Sequence, residues 1–101
     1  MTRLVTLEDA KLHLHVTDPA RDAEVDLFLA QATDAIVSYL KERADPEWTE
    51  TTTPPRIQRG ILELCGLFWE DRDGQAPRDH AADVWADIGR LLERDRDPAL
   101  A

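Results

Sequence analysis

The chain is poor in several things, and each shortage excludes something. It has a single Cys and a single Met in 101 residues, only four Gly, and six aromatic residues (three Trp, two Phe, one Tyr). One Cys makes no internal disulfide and fills no cysteine metal set, so nothing in the sequence points to an oxidising compartment. No apolar run approaches 18 residues and no basic segment leads into a hydrophobic one, so neither a membrane span nor a secretory signal is visible; the expectation is a soluble cytosolic chain. Basic residues are also scarce: 12 Lys and Arg stand against 21 Asp and Glu, for a net charge of −9, and acids outnumber bases in every third of the chain. Gripping DNA or RNA requires cations that displace phosphate counterions, and an anionic membrane requires the same, so both are disfavoured. At this length one compact domain over 1–101 is expected, burying roughly 65% of its unfolded surface, which leaves little room for a deep, dry active site beside the core.

What is present is helical period. Thr6-Leu7-Glu8-Asp9 reads as a cap followed by an acidic first turn, and Leu7, Ala10, Lys11 and Leu14 continue at helical spacing, predicting a short helix over about 7–14. Asp18-Pro19 is a second start signal. Val25, Phe28, Leu29, Ala32, Ala35, Ile36, Tyr39 and Leu40 then make one continuous apolar stripe, predicting a long helix over about 20–43. Residues 44–53 have no period and carry one Pro, three acids and four Thr, and so form a loop. Pro54-Pro55 opens a third helix, over about 54–72, with Ile57, Ile61, Leu64, Leu67 and Phe68 as its stripe. Gly60 and Gly66 fall inside it; a helical glycine costs about 1 kcal/mol relative to Ala, so the close approach of a neighbouring backbone is expected there. After a polar stretch around Gly74 and Pro77, a fourth amphipathic helix over about 80–94 uses Ala81, Val84, Trp85, Ile88, Leu91 and Leu92, and residues 95–101 are expected to fray. With no strand signal, the fold class is all-α: a small bundle of about four helices, the long one packed on the third.

Reactive chemistry finds little support. His13 and His15 are two positions apart, point to different sides of a helix and share no metal, and His80 stands far away beside Asp79 and Asp83. Cys65, mid-helix among apolar residues, lacks the positive neighbour that makes a thiolate. Glu70-Asp71-Arg72-Asp73 is a charge cluster at a helix end, where water levels any pKa difference between its carboxylates. No phosphate loop, HExxH, CxxC or GxSxG pattern exists, and the Asp-Ser-Leu triplet of an acyl carrier is missing. No cofactor, metal or catalytic set is expected. Trp48 stands out, an aromatic in an acidic loop with no helical stripe to join. It either folds back on the core or anchors a partner.

In order and spacing, "LVTLEDAKLHLHV" (4–16), "DAEVDLFLAQATDAIVSYLKE" (22–42) and "PPRIQRGILELCGLFWEDRD" (54–73) resemble the head–tail connector proteins of long-tailed phages and prophages. The similar parts are Leu-x-x-Ala-Lys-x-x-Leu, Ala-x-x-x-Ile-x-x-Tyr-Leu, and a Pro-led helix ending in Trp-Glu-x-Arg. The resemblance implies a structural protein and not an enzyme: a ring of copies below the portal protein, extending the DNA channel and supporting the next connector, stopper or tail-completion protein. It implies a place in the virion, after synthesis in the bacterial cytoplasm. The mixed-charge stretch 77–97 departs from the basic C-terminus common in the family.

Ring contacts join two different faces of one subunit, so apolar positions off the main stripes are candidates for them: Leu27, Val37 and Trp69, together with Trp48. Excess acid suits a channel that DNA must slide through, and Glu47 and Glu50 are the candidate lining acids. The alternative reading is a small acidic regulatory module that binds a basic partner.

Overall fold

A computed structural model describes residues 3–71 and 78–93, the side chains of 78–80 excepted. Among the described residues four α-helices carry the fold: α1 Leu7–Leu14, α2 Asp22–Leu40, α3 Pro55–Glu70 and α4 Arg78–Leu91. Among the described residues there is no strand.

Local chemistry sets the ends of these helices. Thr6 Oγ1 accepts the Asp9 amide at 3.0 Å and starts α1. His15 closes α1 in the left-handed region (φ 59°), sending its amide back to Leu12 O, while Val16 N–H donates to Lys11 O at 2.9 Å. Asp18 Oδ1 accepts the Ala20 amide, and Pro19 begins a single 3-10 turn, Pro19–Arg21, that leads directly into α2. A second 3-10 turn, Lys41–Arg43, follows α2. The expected helix over 20–43 is thus helical throughout but changes character at Lys41, whose backbone (φ 54°, ψ −125°) belongs to territory that glycine occupies readily and lysine does not. Pro54 and Pro55 set the start of α3, where a missing N–H costs nothing.

α2 and α3 lie antiparallel. Phe28, early in α2, meets Trp69, late in α3, with ring centroids 6.1 Å apart, edge to face. At the other end Ile36 reaches the space above Gly60. Between these contacts Val25, Leu29, Ala32, Ile36 and Leu40 face Ile57, Ile61, Leu64 and Cys65, all fully buried. Burying one such aliphatic side chain is worth about 2 kcal/mol. Thr33 is buried with them, its hydroxyl donating to Leu29 O at 2.8 Å. α1 lies on both helices, contributing Ala10, with Leu7 and Leu14 at the margin. Two ion pairs fix this N-terminal part to the first turns of α2: Lys11 Nζ–Asp22 Oδ1 at 2.6 Å and Arg3–Asp26 at 2.8 Å. The Asp22 oxygen is buried and makes no hydrogen bond, so the Lys11 ammonium is its compensation.

α4 packs on α3 and sinks Ile88 and Leu92 into the same core. It spans 78–91, about two residues earlier than its apolar period suggests. The polar stretch 72–77, holding Gly74 and Pro77, and the tail from residue 94 lie outside the described residues, as do the side chains of Asp79 and His80.

The glycines of α3 correct one expectation. Side chains, not a backbone, come nearest to them. A Cβ at Gly60 would meet Leu92 at 3.5 Å and Ile36 at 3.7 Å, and one at Gly66 would meet His13 at 3.6 Å. These are ordinary van der Waals contacts. Gly66→Ala should therefore raise stability by up to about 1 kcal/mol in chemical denaturation, and a loss would mean that the α1–α3 contact is tighter than these distances. Lys41→Gly should likewise stabilise by about 1 kcal/mol, by relieving the positive φ.

Candidate assembly surfaces

The loop after α2 is built by its threonines. Thr49 N–H donates to Thr52 Oγ1 at 2.8 Å, Thr53 N–H donates to Thr49 O at 3.0 Å, and the Thr53 hydroxyl donates to the same carbonyl at 2.6 Å. Asp45 Oδ1 accepts the Glu47 amide at 2.8 Å. The side-chain amide of Gln58, from the first turn of α3, donates to Glu50 O at 2.8 Å and to Leu4 O at 3.0 Å. One amide thus joins the loop, the N-terminal segment and α3.

This framework leaves a groove of about 410 Å³ lined by Leu4, Val37, Lys41, Ala44, Asp45, Pro46 and Trp48. Trp48 does both things the sequence left open: it is half-buried against the core and it forms a wall of the groove. Val37 lies in the same groove. Leu27 and Trp69 do not. Leu27 is 55% exposed on the outer face of α2, whereas Trp69 is half-buried, edge-on to Phe28 with the Arg21 guanidinium 6.0 Å from its ring centre. That cation–π contact gives Trp69 a place in the fold of the single chain. Glu47 and Glu50 are exposed on the loop, next to the groove.

Two positions escaped the sequence reading. Leu12 is 76% exposed on the outside of α1, the most exposed large apolar residue among those described. Nothing in α1's period marks it, because it falls opposite the buried Ala10 and the half-buried Leu14. Lys41 stands on the groove rim in a backbone conformation that the sequence does not announce. Trp85, at 36% exposure, is tilted against Tyr39 with ring centroids 5.9 Å apart, beside Gly89.

The described residues contain no cluster of three or more His, Cys, Asp or Glu side chains able to hold a metal ion. His13 lies against Gly66 and His15 forms the α1 cap. No helix among the described residues is long and apolar enough to cross a membrane. Cys65 is fully buried, and desolvation pushes its thiol up to about 11 from 9.0.

Among the described residues the architecture is that of a small all-α protein with apolar surface left exposed beside its core. The chain belongs to the phage gp6-like head-tail connector family, whose sequence model matches residues 4–76 and so spans α1, α2, the groove loop and α3. Membership makes it a structural connector protein of the virion, working through contacts with other head and tail proteins; the family is not known for enzymes. No curated protein and no solved structure matches the chain significantly.

Because the folded state holds Cys65 protonated, its contribution to stability is complete below pH 9 and is lost as pH rises from 9 toward 11. In urea titrations the stability difference between the parent and Cys65→Ala should be flat below pH 9. Above it the parent should lose about 2–3 kcal/mol relative to the variant. A difference that does not change with pH would mean that the thiol is reached by water in the native state.

Proposed function

We propose that the chain is one subunit of a ring seated below the portal protein, where it extends the DNA channel and presents a platform to the next connector, stopper or tail-completion protein. The family match over α1–α3 carries this reading. The surfaces support it: among the described residues, a core closed by fifteen buried apolar side chains coexists with exposed Leu12 and Leu27 and an open apolar groove, which a free-standing monomer does not need. The net charge of −9 fits a protein that surrounds DNA without holding it, since carboxylates facing a lumen repel phosphates over a Debye length of about 8–10 Å. In this reading Glu47 and Glu50 line the channel, and the subunit resides at the head–tail junction after synthesis in the bacterial cytoplasm.

Electron microscopy of the protein mixed with its portal tests the role. A ring coaxial with the portal is expected; a small complex of fixed low stoichiometry with some basic protein would instead favour the acidic regulatory module. The channel assignment has its own check. Replacing both Glu47 and Glu50 by Lys should slow DNA ejection and make it salt-dependent, and particles that retain and eject DNA as the parent does would remove these two acids from the lumen.

A further inference from the structure

Two surfaces described above fit one another. Glu8, Leu12 and His15 follow one line along the outside of α1 and its cap, at spacings of four and three, so an exposed apolar knob stands between an acid and an imidazole. The Trp48 groove presents the complementary order. Its floor and walls are apolar (Leu4, Val37, Ala44, Trp48), and its polar lining residues are Lys41 and Asp45. The strained backbone at Lys41 lies on that same groove, and strain of this kind persists where the surrounding structure is committed to a function.

We propose that Leu12 of one copy seats in the Trp48 groove of the next, with Glu8 facing Lys41 and His15 facing Asp45. The inference rests on the ring reading and names the two faces that meet. The knob does not fill its own groove: Leu4 lines the groove just before α1 begins, while Leu12 lies toward the far end of that helix, about 12 Å long. Each copy therefore offers one surface and receives the other. Such a contact is heterologous, the kind that propagates from copy to copy and forms a ring when the rotation between copies closes.

Disulfide trapping tests the contact on the full-length chain mixed with its portal. A protein carrying both Leu12→Cys and Ala44→Cys should give a ladder of linked multimers under mild oxidation. One carrying Gln31→Cys with Ala44→Cys should not, because Gln31 is exposed on α2 away from both surfaces. Buried Cys65 does not compete. In the trapping background, Glu8→Lys and Lys41→Glu should each lower the multimer yield several-fold, and the two together should restore it. Lys41→Gly, which relieves strain and so keeps the fold intact, should lower the yield as Lys41→Glu does. Equal trapping at Gln31, or charge reversals that do not compensate, would overturn the proposal. Portal-bound rings indifferent to Leu12→Asp would also overturn it while leaving the connector role standing. The absence of any ring on the portal would remove the role, and this contact with it.

Discussion

The antiparallel seam between α2 and α3 is the constraint on which the other elements depend. Most of the stability of each helix comes from the apolar face that it packs against the other. Once Leu29, Ala32, Ile36 and Leu40 meet Ile57, Ile61 and Leu64, two shallow flanks remain on the pair. α1 covers one with Ala10, Leu7 and Leu14, and α4 covers another with Ile88 and Leu92. The helices at the edges of the bundle are therefore consequences of the central pair. The ion pairs Lys11–Asp22 and Arg3–Asp26 orient α1 on the seam and do not create it.

This explains why the fold was legible in the sequence, while of the candidate groove only Val37 and Trp48 stood out as single residues and their meeting did not. A stripe at positions three and four apart is a local signal, and Val25 through Leu40 display it without interruption. Thr33 falls outside that apolar pattern, yet it is buried because its hydroxyl returns to Leu29 O, a bond within its own helix. The groove has no such signal. It arises where Leu4, Val37, Ala44 and Trp48, up to 44 positions apart, are brought together, and its rim depends on a backbone angle at Lys41 that no pattern of residue types reports. The four threonines of the loop enter the sequence reading only as a sign that no helix runs there. All four in fact wire the turn that presents Trp48, through bonds from Thr49 to Thr51, Thr52 and Thr53. Leu12 stayed hidden for the opposite reason, being apolar on a face the period assigns to solvent.

The surface charge and the apolar patches divide the work of an assembly protein between them. In the proposed ring, long-range repulsion among acidic copies would oppose chance association, and short-range apolar contacts would dominate once copies are held close on the portal. Such a balance suits a component that should assemble at one vertex of a capsid and nowhere else in the cell. The family match ends at residue 76, just before α4 begins, so the matched region contains the central pair, the groove loop and the exposed knob on α1.

The Gln58 amide has a mechanical meaning. It bonds at once to Glu50 O in the loop and to Leu4 O in the N-terminal segment, while its own backbone belongs to the first turn of α3. A pull on the loop is therefore shared, through one planar group, with the floor of the groove and with a helix sunk in the core. Widening the groove on one side alone would cost one of these two bonds. If DNA pressure loads the loop, the whole pocket shifts as a rigid bracket, and the load passes into the helix pair that carries the molecule.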